Sequence, residues 1–212
     1  MSIQRHKVFI SYFHADDQYY KNQLIQMKAW DNERYQYVSI FDDYSVRQYD
    51  IDDTGLSSEQ IRRIIRDDYM KNATVLVLLC GQKTKTRKHV DWEIHTAMYH
   101  SDINPQMGIV VINLPTINQS QLYSCLGDRQ YFGDTSGWVT LNKDASYLET
   151  NYPYLPARIR ENIARDNIYI PIINWDRVSG NAYNLAGIID VAFNNRYKND
   201  YDHSTNLRRN NS

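Results

Sequence analysis

Short apolar runs alternate along this chain with longer stretches in which apolar residues recur every three to four positions. Residues 7–12 (KVFISY) are rich in β-branched and aromatic residues and predict a first buried strand. His14-Ala-Asp-Asp17 supplies an N-cap for a helix reaching about Trp30. Residues 37–41 read as a second strand, ending at Asp42-Asp43, with a polar loop to about Gly55. Ser57 and Gln60 stand at capping-box spacing before a helix striped by Ile61, Ile64, Ile65, Tyr69 and Met70. The run 74–80 is a third strand, a helix spans about 89–100, and 108–114 (GIVVINL) is a fourth strand.

Between 115 and 156 the period is lost, and turn signals such as Gly133-Asp134 and Ser136-Gly137 break the pattern. An irregular insertion is expected there, with a short hairpin around 138–141, followed by a short helix over 155–164. Residues 168–174 (IYIPIIN) read as a fifth strand, and Pro171 argues for an edge position or a bulge. A closing helix over 184–195 carries Leu185, Ile188, Ile189, Ala192 and Phe193 on one stripe. The polar stretch 198–212 is expected to fray. This is one domain over 1–197: an α/β fold with an open, mainly parallel sheet and helices on both faces. Right-handed crossovers place the loops after Tyr12, Phe41 and Cys80 on one edge, where they converge on a cleft.

Composition narrows the picture. The 212 residues suffice for one complete core. A net charge of -1 gives no global field for nucleic acid or an anionic membrane. Two cysteines, Cys80 and Cys125, fit a reducing compartment. No apolar run approaches the ~20 residues of a membrane span, and the first seven residues lack the apolar segment of a signal peptide. The expected location is cytoplasmic. The 18 tyrosines are many, and their concentration over 123–154 predicts a semi-buried surface or a partner face.

The stretch 72–98 carries the strongest chemistry. An apolar strand stops at Gly81, a cationic loop follows with Lys83, Lys85, Arg87 and Lys88, and a helix begins with Glu93 in its expected first turn. Val90, Ile94, Ala97 and Met98 form the apolar stripe, and Glu93 falls about 60° to one side of Val90, at the border of the buried face. A first-turn position favours the ionised carboxylate. Partly desolvated on a cleft wall, such a group stabilises developing positive charge, as at the oxocarbenium-like centre of glycosidic cleavage. A nicotinamide leaving group is already cationic, so a single carboxylate could suffice. The competing reading is an acid that merely stabilises its helix.

The first loop adds Tyr12, Phe13, His14 and Asp16, suited to stacking a flat ring and holding a ribose or phosphate. The second adds Asp42, Asp43, Ser45 and Arg47; in the third, Arg87 and its lysine neighbours suit a pyrophosphate, or form only a solvated loop. Dinucleotide and P-loop glycine motifs are absent, and no histidine–cysteine spacing points to a metal.

Val8-Phe-Ile-Ser-Tyr12 with Phe13-His14-x-x-Asp17, then Phe41-Asp-Asp-Tyr-Ser45, then Asn72-x-Thr74-Val, Cys80-Gly81, Thr84-x-x-Arg87 and Val90-x-Trp92-Glu93-Ile94 form an ordered series. It resembles the TIR-like domains, and within them the bacterial branch of the Thoeris antiphage defence system. The resemblance covers roughly residues 5–113 well and is looser to about 195. It implies a flavodoxin-like, five-stranded parallel sheet. It also implies cleavage of NAD at the nicotinamide–ribose bond, with Glu93 catalytic, no cofactor beyond NAD as substrate, and a cyclised or conjugated ADP-ribose product read by a partner effector. Self-assembly into a homo-oligomer is left open. The acidic, tyrosine-bearing stretch 45–55 departs from the long loop used for TIR–TIR adhesion. Two other readings compete: a non-catalytic interaction module built on the tyrosine-rich insertion, and a receiver-like domain using Asp16, Asp17 and Asp42. The second lacks an acceptor aspartate where the third strand ends in Cys80-Gly81.

Overall fold

A strand whose two faces are both covered by helices is apolar at every position, and the two most apolar runs of this chain occupy the middle of its sheet. The computed structural model describes residues 3–46, 55–100, 105–117, 122–123, 138–139 and 141–211. Its elements run β1 (His6–Ser11), α1 (His14–Gln26), β2 (Lys28–Asp31), β3 (Gln36–Ser39), β4 (Phe41–Asp43), α2 (Ser58–Ile64), β5 (Val75–Cys80), α3 (Lys88–Met98), β6 (Gly108–Asn113), β7 (Leu122–Tyr123), β8 (Trp138–Val139), α4 (Ala145–Asn151), α5 (Ala157–Ile163), β9 (Ile172–Asn174) and α6 (Ala182–Asn195). β5 and β6 are buried throughout.

The sheet order is β4-β1-β5-β6-β9-β7-β8. The first five strands pair in parallel. Counted along those five, the order is 2-1-3-4-5, the flavodoxin-like arrangement, and the fold class expected from the sequence is observed. β7 lies antiparallel to β9, and β8 parallel to β7, so the sheet extends two short strands beyond the expected five. One core lies under α3 and α5, where Val90, Ile94, Ile159 and Ile163 meet Leu78, Cys80 and Val111. The other lies under α1 and α6, where Leu24, Leu185 and Ile188 meet Val8, Ile10 and Val77. Among the described residues no helix is long and apolar enough to cross a membrane.

Several boundaries differ from the sequence reading. α1 stops at Gln26, because β2 and β3 form a separate antiparallel hairpin. The expected strand over 37–41 is therefore split between β3, in the hairpin, and β4, in the sheet. The turn of this hairpin exposes residues 32–37, and buried Asp31 accepts the N–H groups of Glu33 and Arg34. The capping box at Ser57 and Gln60 is formed, but the helix it opens changes at Ile65 to one wide turn over Ile65–Tyr69. The aperiodic stretch contains α4, capped by Asp144. In place of a hairpin around 138–141, β8 pairs in parallel with β7; in the rest of the tyrosine-rich segment Tyr147 and Tyr154 are half-buried and Tyr152 is buried, while Tyr131 lies outside the described residues. Pro171 sits immediately before β9, so an interior strand loses no donor, and its carbonyl accepts the N–H of Val111.

The polar C-terminal stretch, expected to fray, is instead docked over 199–211. Asn162 and Asp202 exchange two hydrogen bonds of 2.9 and 2.7 Å, and Tyr201 is buried. Arg158, almost wholly buried, donates to the carbonyls of Thr205 and Asn206. A fully buried guanidinium needs fixed acceptors, and the tail carbonyls provide them.

Candidate active site

In the flavodoxin-like order, the strands on either side of the reversal are β1 and β5, and the crevice beyond their carboxyl ends is where such sheets bind ligands. Ser11 ends β1 and Cys80 ends β5. Phe9 packs in the core under α3, and Ser11, two residues on, shares its face. Ser11 thus points at α3, and its Oγ donates to Glu93 Oε2 across 2.6 Å.

Glu93 does not lie in the first turn of α3; that place is held by Asp91. Nor is it at a half-solvated border, for only 7% of its surface is exposed. Burial pushes its carboxyl up to about 8, against the opposing hydrogen bond from Ser11. The expected ionised carboxylate is therefore corrected: at neutral pH the resting side chain is largely a buried acid. α3 begins at Lys88, close to the expected start, so Glu93 is its sixth residue and lies past the first turn, within which the helix dipole fades.

The loops converge as the topology requires. Arg87 lays its guanidinium over the Phe13 ring, 4.0 Å from the centroid, and its buried Nε has no hydrogen-bond partner among the described residues. Tyr12 stacks on His14 at 4.3 Å between nearly parallel rings, and its hydroxyl donates to Gln18. Burial raises the Tyr12 phenol to about 12, and burial with the nearby Lys21 charge lowers His14. Asp16 is held by Lys83 at 2.9 Å.

Ser45 accepts the N–H of Ile10 at 2.8 Å and donates to Asp43, so it fastens the second loop to β1 and leaves no free hydroxyl for a ligand. Asp42 points elsewhere, pairing with Arg5 on the exposed side of the sheet edge. Arg47 lies outside the described residues. The cationic loop does not form one open cradle: Lys83 is engaged with Asp16, and Lys85 donates to the Pro153 carbonyl at 2.8 Å.

Two contributors escaped the sequence reading. Ser11 was visible only as the last letter of the first strand; its role follows from strand parity and from the position of α3. Asp17, expected to cap α1, is instead buried against the third loop, where its carboxylate accepts from Thr84 Oγ1 at 3.3 Å. Burial raises it to about 6, opposed by the Thr84 hydroxyl. Gly81 makes this approach possible, since a Cβ there would stand 2.7 Å from both Asp17 carboxylate oxygens.

The fold and site define a flavodoxin-like α/β protein with a buried acid at the reversal of strand order. A family model described as the TIR-like domain of the Thoeris protein ThsB matches residues 9–119, more than half of the chain, and the chain belongs to that family. It is a TIR-fold antiphage defence protein. No curated protein matches the chain.

Proposed function

We propose that the protein cleaves the nicotinamide–ribose bond of NAD and turns the ADP-ribose unit into a cyclised or conjugated signal for an effector protein. The observation that carries this reading is the desolvated Glu93 carboxyl at the switch point, bonded to Ser11. In the reaction the C1′–N bond breaks and its electron pair passes to the pyridine nitrogen, so nicotinamide leaves neutral. The oxocarbenium-like ribosyl carbon is then captured by water, by another atom of the ADP-ribose unit, or by a separate nucleophile, which gives up its proton.

Glu93 is suited to this step because its environment is dry. A cationic nicotinamide ring beside it favours the carboxylate, drawing its pKa down from about 8 as substrate binds. The anion then faces the charge that develops on the sugar, where low dielectric strengthens the attraction. Ser11 holds the carboxyl and offers it a hydrogen bond in either protonation state. Phe13 and Arg87 form a flat aromatic–cation surface, and the unsatisfied Arg87 Nε is a donor for a ribose or phosphate oxygen. NAD is the substrate in this reading, and no further cofactor is called for.

Mass spectrometry of nucleotides after incubation with NAD, alone and in extracts of infected cells, tests the proposal. Wild type is expected to release nicotinamide, and Glu93→Gln to abolish release while keeping the native circular dichroism spectrum. Release undiminished in Glu93→Gln would remove Glu93 from the chemistry.

A further inference from the structure

The helix that carries Glu93 is held on its other side by the C-terminal segment, and the contacts concentrate at its amino end. Arg87, at the N-cap position of α3, provides no side-chain cap. The first helical N–H, that of Lys88, donates instead to Asn211 Oδ1 at 2.8 Å, across 123 positions of sequence. Asp91, buried one turn on, accepts two bonds from Arg158, at 3.0 and 3.2 Å, and a third from the Arg208 N–H at 2.9 Å. The Trp92 indole N–H donates to the Arg208 carbonyl at 2.8 Å, and Arg208 Nη1 to the Lys85 carbonyl at 2.9 Å. One turn further, the His203 ring packs edge-on against His95 and Tyr99.

Arg158 belongs to α5 and also donates to the carbonyls of Thr205 and Asn206. It therefore joins α5, the C-terminal segment and Asp91 in one buried unit. Consecutive residues of α3 point to opposite supports: Asp91 and Trp92 face the segment, and Glu93 faces Ser11. On a helix, a small rotation moves adjacent side chains together, so whatever fixes Asp91 fixes the approach of Glu93 to Ser11.

We propose that the segment 199–211 is a strap that positions Glu93, acting through Asp91 and Arg158 and through Asn211 as the cap of α3. The inference rests on the reading of Glu93 as the reactive acid, but its primary test does not use activity. Asp91, Arg158 and Asn211 are positioning residues and touch no reacting atom. A slackened strap lets α3 withdraw from β1, admits water to the crevice, and returns Glu93 towards an ordinary carboxylate.

The experiment follows the Glu93 carboxyl by 13C NMR in glutamate-labelled full-length protein, assigned by the resonance missing from Glu93→Gln, together with nicotinamide release from NAD. Asn211→Ala removes an exposed cap and leaves the core intact. It is expected to lower the Glu93 midpoint measurably and to reduce release about fivefold. Asn211→Asp, an anion at the same helix terminus, is expected to restore both. Asp91→Asn is expected to have the larger effect, roughly tenfold on release. Thr205→Val removes only the exposed bond from Thr205 Oγ1 to Glu161 on α5, 2.9 Å, leaves every contact of the strap with α3 in place, and is expected to leave the midpoint unchanged.

A midpoint unmoved in folded Asn211→Ala overturns the proposal, as does an equal movement in Thr205→Val. Should Asp91→Asn fail to fold, the two Asn211 variants decide. A midpoint that moves as expected in a protein releasing no nicotinamide supports the strap and counts against the enzymatic reading.

Discussion

Ser11 and Glu93 lie 82 positions apart in sequence and share a buried 2.6 Å hydrogen bond that ties the end of β1 to α3. The bond stabilises the carboxylate form of an acid that burial otherwise disfavours. Ser11→Ala leaves that oxygen buried without its donor. Urea denaturation is expected to show a loss of about 1–3 kcal/mol, and the Glu93 titration should move further upward. Unchanged stability with an unchanged titration would mean that the two side chains are not bonded in solution.

Glu93 makes the folded protein lose stability as the medium becomes alkaline. Its folded pKa of about 8 lies above its ordinary 4.5, so between these values the native state holds more protons than the unfolded chain. Stability then falls as pH rises through that window and levels off above it. Glu93→Gln removes the dependence. Melting curves are expected to place the variant above wild type at pH 8.5, with the gap narrowing towards pH 5. Parallel curves for the two proteins across this range would sink the idea.

His95 has the opposite signature. Burial first, then the Arg158 and His203 charges, lower it from 6.5 to about 4. The native state therefore binds fewer protons than the unfolded chain between those values, and stability is lost as pH falls through them. His95→Gln should flatten the acid limb of the melting profile between pH 6.5 and 4 and leave the alkaline limb as it is. An acid limb as steep as that of wild type would assign the sensitivity to other groups.

Gly108 and Gly81 differ in what a methyl group would meet. At Gly108 a Cβ would lie 2.1 Å from the carbonyl oxygen of Ala192 and 2.4 Å from its carbon, both backbone atoms of α6. Backbone inside a packed helix yields little, so Gly108→Ala is expected to cost about 3 kcal/mol or more. At Gly81 the obstacle is the Asp17 side chain, which can turn away. Gly81→Ala should cost less, about 1–2 kcal/mol, with Asp17→Ala relieving part of it. Chemical denaturation of the single and double variants reads these differences, and equal costs at the two glycines would contradict the packing described.

The parallel strands and main helices were legible because their signals are local. The runs at 75–80 and 109–112 are apolar throughout, as doubly covered strands are, and Ser57 with Gln60 announces its own helix. Glu93 was legible by the order of motifs around it, whereas its ionisation state was not. That state depends on where α3 starts and on how deeply it packs, and both are tertiary facts. Ser45 shows the same limit: a serine after two acids suits a ligand, yet this one is consumed by Ile10 and Asp43. The docked tail was illegible for a related reason. Its residues are polar, and their partners, Arg158, Asn162 and Asp91, lie more than 35 positions away and would read as surface in isolation.

The hairpin of β2 and β3 projects as a sheet of its own, outside the hydrogen-bond ladder of the parallel strands. Its tip bears solvent-facing side chains from Asn32 to Tyr37, and Tyr35 already adopts a positive φ of 51°. A short epitope or a fluorophore-bearing cysteine can therefore be grafted between Arg34 and Tyr35, beyond the amides that Asp31 secures. Such a handle would label the protein while leaving the crevice and its acid untouched.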